Sequence, residues 1–127
     1  MSFADFWEGE ILDHIFDIGS YTAPSIYVGL STADPTDDAS GLAEPSGGSY
    51  ARVSVTGWSR SGNEVDNDAA ITFTQATGSW GTLTHFGLFD AASGGNMLCS
   101  GELTSPVAIA SGETFEFAAG DCNITLD

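Results

Sequence analysis

Apolar side chains recur along the chain with two different periods, and the period changes near Pro24. The first segment, Ser2–Ile18, has a broad apolar face at helical spacing, which must be buried against something. That face is formed by Phe3, Phe6, Trp7, Ile11, Leu12, Ile15, Phe16 and Ile18. Ser2 is a candidate N-cap, and Gly19 is placed to end the helix. The pattern predicts an amphipathic helix within residues 1–19 that packs on the sheet or on a partner.

After Pro24, short runs rich in β-branched and aromatic residues alternate with turns that contain Gly and Ser. The predicted strands are Ile26–Leu30, Ala51–Val55, Ala70–Phe73, Leu83–Phe89, Asn96–Leu103, Val107–Ala110, Thr114–Phe117 and Asn123–Leu126. No linker or internal repeat divides them. We therefore expect a mainly β protein: one antiparallel β-sandwich or barrel-like domain over residues 20–127, preceded by the helix.

Two polar stretches interrupt the strands. Ser31–Ser49 contains two acidic residue–proline pairs, Asp34-Pro35 and Glu44-Pro45, and has few side chains that could pack. Trp58–Asp68 is also polar. A loop of such length is uncommon in a compact domain and is usually functional or ordered by a partner. We expect both stretches at the surface.

Charge narrows the choice of partners. The 127 residues include 18 Asp and Glu but only two basic residues, Arg52 and Arg60, and the formal net charge is −16. Binding to nucleic acid or to anionic lipid requires clustered cations that the chain does not have. We also find neither a run long enough to cross a membrane nor a secretion signal. The expected protein is made in a cytoplasm and binds no nucleic acid and no membrane.

Catalytic motifs are incomplete. The segment Gly57–Gly62 comes close to the nucleophile elbow G-x-S-x-G, but a serine stands at the last glycine position. His14 and His85 have no nucleophile that the sequence assigns to them, and no phosphate-binding or dinucleotide-binding loop occurs. We expect no enzymatic activity, no catalytic residue and no cofactor.

Acidic loops offer candidate calcium ligands. Asp34, Asp37 and Asp38 lie close together in one loop, and Asp66 and Asp68 in another. Carboxylate oxygens are the ligands that calcium prefers, but neither loop matches the twelve-residue EF-hand pattern. A solvated acidic loop is the favoured interpretation of both.

The two cysteines, Cys99 and Cys122, are too few for a disulfide scaffold or a zinc site. Both fall in predicted late strands, so a bridge between them is an alternative. Because the expected compartment is reducing, buried free thiols are the favoured interpretation.

Several motifs in order resemble a family of small virion proteins of tailed bacteriophages, often labelled tail fibre proteins. The motifs are Tyr27–Pro35, Gly41–Val53, Ala70–Phe73, Gly78–Thr82 and Thr84–Asp90. The resemblance covers nearly the whole chain and implies a non-enzymatic structural protein of the virion, made in the cytoplasm of the bacterial host.

The position in the virion is a separate question. Fibres gain their length from repeats, coiled coils or intertwined chains, and none of these patterns is visible here. A decoration (cement) protein on the outer surface of the head, bound to the major capsid protein or to other virion proteins, is therefore the favoured hypothesis. We expect symmetric copies, with a trimer among the forms considered. The alternative is a tail fibre or receptor-binding module that recognises a host glycan or protein.

Candidate interface residues follow from both hypotheses. For the docking surface we select two groups of residues. The apolar residues of the helix segment are Phe3, Phe6, Trp7, Ile11 and Ile15, and the two acidic residue–proline pairs of the loop are Asp34, Pro35, Glu44 and Pro45. For the receptor-binding alternative we select three aromatic residues: Tyr50, Trp58 and Trp80. A large aromatic ring in a turn caps the core more often than it faces a partner, and this competing interpretation applies to Trp80.

Overall fold

The N-terminal helix is shorter than predicted at both ends. In the structure, a computed structural model that describes residues 2–126, Ser2–Phe3 form a short strand (β1) and the helix α1 spans Asp5–Ile15. Ser2 is not the N-cap because its backbone pairs with a later strand; Ala4 holds that position without a side-chain cap. The helix ends where Asp17 adopts a φ of 57°. The outer limits of the predicted segments, Met1 and Asp127, lie outside the described residues.

Nine further strands follow. They are β2 (Ile26–Ser31), β3 (Val53–Val55), β4 (Trp58–Ser61), β5 (Glu64–Asn67), β6 (Ile71–Thr72), β7 (Gly81–Phe89), β8 (Met97–Ile109), β9 (Glu116–Phe117) and β10 (Asn123–Thr125). Two strands that were predicted separately are joined in β8. The break between them survives as an irregularity, because the pairing jumps from Leu83–Val107 to His85–Glu102.

The polar stretch Trp58–Asp68 was wrongly predicted to be a loop. It forms the hairpin β4–β5, in which Ser61 pairs with Glu64 and Gly62 adopts a φ of 61°. Positive φ is accessible to glycine without strain, so a two-residue turn forms here. The hairpin carries few apolar residues because only one of its faces is covered.

All strand pairs are antiparallel and form three sheets. The largest sheet has the order β1-β8-β7-β2-β3, a three-stranded sheet has the order β10-β5-β4, and β6 pairs with β9. The main core contains residues from all three sheets and so lies between them. Its members are Val28, Leu30, Ile71, Phe73, Ala76, Trp80, Leu83, Phe86, Leu88, Leu98, Cys99, Ile109, Phe115, Phe117, Cys122 and Ile124. This layering confirms the predicted mainly β, antiparallel fold with one N-terminal helix.

On the opposite face of the large sheet, two glycines leave room for the ring of Phe89. Gly29 of β2 pairs with Gly87 of β7, and the ring of Phe89 lies over the pair. A Cβ atom would stand 2.9 Å from the ring at Gly29 and 3.0 Å from it at Gly87, which is too close in both cases. The missing side chains thus create the space in which Phe89 is buried, at 1% exposure.

Candidate interaction surface

Arg52 anchors residues 32–52, which we call the loop 32–52, to the face of the large sheet on which Phe89 lies over Gly29 and Gly87. Its Nε and Nη2 atoms donate to the two carboxylate oxygens of Glu44 at 2.9 and 2.7 Å. Its Nη1 atom donates to the carbonyl oxygens of Ala91 and Gly94, both at 2.8 Å. The guanidinium group lies 3.6 Å from the ring centroid of Phe89. A bidentate, stacked arrangement of this kind requires arginine specifically.

Tyr50 completes this cluster. Its hydroxyl donates to Glu44 at 2.7 Å and accepts the backbone N–H of Leu30 at 2.9 Å, a donor that lies beyond the last β2–β3 pair. Burial raises the pKa of Tyr50 above its usual value. Burial also opposes ionisation of Glu44, but the hydrogen bonds from Arg52 and Tyr50 and the positive charge of Arg52 lower its pKa overall. We call Glu44, Tyr50, Arg52 and Phe89 the arginine cluster.

Two predicted interface residues lie in the interior. Trp80 is 3% exposed, donates from Nε1 to the carbonyl of Gly48 at 2.8 Å and packs edge-on against Tyr50. Pro35 is fully buried. Neither side chain therefore offers surface to a partner. Pro45 is half-buried.

The candidate calcium ligands of the loop 32–52 accept hydrogen bonds from protein groups. Asp34 accepts the N–H of Thr36, and Asp37 accepts the hydroxyl of Ser2. Asp38 accepts hydrogen bonds from Ser40 and Thr36, which lower its pKa to about 2. Among residues 2–126, no group of three or more His, Cys, Asp or Glu side chains is arranged to hold a metal ion.

The second acidic pair, Asp66 and Asp68, lies beside Ser59 of the β4–β5 hairpin. Asp66 pairs with Ser59 across β4 and β5, whereas Asp68 follows β5 and accepts the Ser59 hydroxyl. His85 contacts Thr84 through Nδ1 at 2.8 Å, and the Nδ1 atom of His14 accepts the N–H of Tyr21 at 3.4 Å. Ser59 therefore has an aspartate neighbour, while both histidines have other partners.

The two cysteines are free and buried, in agreement with the favoured interpretation. Burial raises the pKa of both thiols, Cys99 and Cys122, to about 12. Because the thiolate is the nucleophilic form, both groups are unreactive at neutral pH.

The helix contrasts with the loop 32–52, in which Tyr50 and Arg52 hold the chain against the sheet. No residue of α1 is buried. Near its start, Phe3 of β1 stacks on Trp7 at 4.6 Å between ring centroids, and Phe6 packs edge-on against Tyr21. Further along, Ile11 is half-buried and Leu12 is 54% exposed. The apolar face thus leaves the protein surface as the helix proceeds.

The most exposed apolar side chains lie where the helix ends. Ile15, Phe16 and Ile18 are 67%, 69% and 76% exposed. Asp17 stands between them and is also exposed. We call these four residues the helix-end knob.

An apolar groove of about 470 Å³ opens beside the start of the helix, at one end of the space between the sheets. Phe3 and Trp7 form one side, and Trp58, Val65 and Ile124 of the three-stranded sheet form the other. This volume lies within the usual range of about 300–1,000 Å³ for ligand pockets. We call it the inter-sheet groove. It brings together three predicted interface residues: Phe3, Trp7 and Trp58.

Arg60 is the charged side chain of the inter-sheet groove. It lines the groove from β4, is exposed, and is the one charged residue among the described residues of the lining. The other arginine of the chain, Arg52, is neutralised by Glu44. Arg60 was not among the predicted interface residues, although its position two residues after Trp58 would place both side chains on one face of a strand.

Two further groups were not selected as site residues from the sequence. Phe16 and Ile18 were assigned to the apolar helix face but not to the interface, because the helical spacing of the sequence continues past Ile15, where the helix ends. Leu126, 54% exposed, lines the groove from the C-terminal side. In the described part of the chain, no helix is both long enough and apolar enough to span a membrane.

The fold and surfaces define a class of protein: a small, acidic, mainly β domain that exposes apolar side chains and an apolar groove. The family model described as podophage GP4 fiber I protein gp80 matches residues 2–125, and the chain belongs to that family. It is therefore a bacteriophage virion structural protein of the tail-fibre type. No curated protein matches the chain.

Proposed function

We propose that the protein is a non-enzymatic structural subunit of the fibre apparatus of a tailed phage, held in place by its exposed apolar surface. The observation that carries this proposal is the fibre family model, which matches nearly the entire chain. The surface is consistent with it: the helix-end knob and the inter-sheet groove remain uncovered in the monomer, whereas Glu44 and Arg52 of the loop 32–52 are paired with each other.

The shape of the chain favours a globular component of the fibre over the shaft. One antiparallel domain has no repeat that could extend it along a fibre axis, and its helix has 11 residues. We infer a junction or terminal position, with another virion protein supplying the length.

Capsid decoration is the second candidate function. The same compact, acidic domain suits a protein that binds to an external lattice and stays away from packaged DNA. Under this hypothesis the partner is the major capsid protein. Removal of the gene would then make heads more sensitive to heat.

Localisation in the particle tests both functions. Purified virions are labelled with antibodies against the full chain and imaged by electron microscopy. We expect label at the tail fibres. Label over the head would instead favour decoration, and absence of the chain from purified particles would overturn both functions.

The receptor-binding and enzymatic alternatives need separate tests. Trp58 lies in the groove, whereas Trp80 is buried, so Trp58→Ala is the informative change for receptor binding. Loss of binding of purified protein to host cells in this variant would show that the fibre subunit also contacts the receptor. Turnover of a substrate that is lost in His85→Ala or Ser59→Ala would overturn the non-enzymatic assignment.

A further inference from the structure

The helix-end knob and the inter-sheet groove are complementary in chemistry. Two of the three exposed apolar side chains of the knob, Phe16 and Ile18, flank Asp17 in the sequence. The groove presents apolar walls and the guanidinium group of Arg60. An apolar–acidic–apolar segment therefore matches an apolar site with one cation.

The knob is fixed before any contact forms. The N–H groups of Ile18 and Gly19 both donate to the carbonyl of Asp13, at 2.9 and 3.1 Å, and close a turn after the helix. Asp17 occupies the left-handed region at φ 57°, which aspartate tolerates better than most residues. Because the segment is already ordered, little conformational entropy is lost when it binds.

Charge indicates which occupant the groove accepts. The two arginines of the chain differ in their partners. Arg52 forms an ion pair with Glu44, whereas Arg60 has only the carbonyl of Gly62 as a hydrogen-bond partner among the described residues. An acidic apolar segment satisfies Arg60, and this chain exposes such a segment at Asp17. We infer that the occupant is the helix-end knob of a second copy of this chain.

The contact joins two different surfaces of the same chain. Such a heterologous contact closes into a ring or continues as a chain of copies. A ring of three copies would be a trimer. The inference deepens the proposed function by naming the partner of the apolar surface, and it rests on that function only for its place in the virion.

Sedimentation equilibrium of the purified full chain, up to millimolar concentration, tests the inference. We expect the wild type to self-associate. The dissociation constant should rise at least tenfold in Phe16→Ser and in Ile18→Ser, whose helical signal by circular dichroism should stay unchanged. A wild type that remains monomeric throughout would overturn the inference, including the case in which it binds another virion protein instead.

Charge exchange tests the ion pair. Arg60→Asp and Asp17→Arg should each associate at least tenfold more weakly than the wild type, and an equimolar mixture of the two variants should associate again. Asp121→Arg is the matched control, because it makes the same charge change at an exposed position away from both surfaces. Equal association of Asp17→Arg and Asp121→Arg, or no recovery on mixing, would overturn the assignment of the groove to the knob.

The two proposals fail separately. Label on the head with self-association intact would refute the fibre position and leave the knob–groove contact standing. Label on the fibre with a monomeric chain would do the reverse.

Discussion

The arginine cluster and the helix-end knob differ in how their side chains are packed. In the cluster, the Nε, Nη1 and Nη2 atoms of Arg52 all donate hydrogen bonds, and Glu44 accepts hydrogen bonds from both Arg52 and Tyr50. At the knob, Phe16 and Ile18 have no comparable packing. The polar loop 32–52 lies largely at the surface, as predicted, but a few of its polar side chains are packed within the protein, whereas the apolar side chains of the knob are exposed. Sequence polarity alone therefore does not show which side chains of this protein are packed and which are exposed.

The largest expected effect comes from removing the centre of the arginine cluster. Arg52→Met leaves the carboxylate of Glu44 half-buried without its cation. Breaking one partner of a buried ion pair is strongly destabilising, and we expect a loss of roughly 3 kcal/mol in the free energy of unfolding, since Glu44 is partly exposed. Urea unfolding of dilute, monomeric protein measures it.

Arg60→Met is the matched control for this change. It removes the other arginine of the chain from an exposed position, where substitutions usually change stability by less than about 0.5 kcal/mol. Similar losses in both variants would show that net charge, and not the cluster, determines the stability.

The next prediction compares the stability changes caused by alanine at two glycine positions. In Gly29→Ala, the added methyl group would stand within 3.0 Å of Glu44, Phe89 and Tyr50. We expect a loss of about 2 kcal/mol, as is typical of overpacking. In Gly9→Ala, on the helix, no atom lies within 4 Å of the new methyl group. The better helix propensity of alanine should stabilise the protein by about 0.5–1 kcal/mol.

Thermal unfolding checks both glycine variants. We expect opposite shifts of the midpoint, downward for Gly29→Ala and upward for Gly9→Ala. A neutral Gly29→Ala would mean that Phe89 moves aside at little cost, and the face would then be less tightly closed than the structure shows.

These two regions also show what the sequence could predict. The alternation in β7 and the apolar run of β2 predicted both central strands, since burial against one core imposes that period. The arginine cluster could not be predicted, because its members lie on separate elements and only the fold brings them together. Likewise, the helical period continues to Ile18, and nothing in it shows where the sheet stops covering the helix.

The pKa of Glu44 gives a smaller, pH-dependent effect. Its pKa is lower in the folded state than in the unfolded chain, so its contribution to stability is present above the unfolded pKa and disappears as pH falls through the folded pKa. Comparison with Glu44→Gln isolates this contribution from the other carboxylates. We expect the difference in unfolding free energy between wild type and variant to shrink as the pH is lowered from neutrality into the acidic range. A constant difference would show that the carboxylate is not ionised in the cluster.

The smallest expected effect is at the helix-end knob. Phe16→Ser removes a large apolar side chain that is 69% exposed, and serine and phenylalanine have similar helix propensities. The free energy of unfolding of the dilute monomer should therefore change by less than about 0.5 kcal/mol. Phe89→Ser, at 1% exposure, is the contrasting variant and should cost at least about 3 kcal/mol. If urea unfolding showed a loss above about 1 kcal/mol for Phe16→Ser, the side chain would be packed within its own molecule and would not be free to fill a second copy's groove. A near-zero change, together with weaker self-association of the same variant, separates the two regions: one stabilises the monomer, and the other holds copies together.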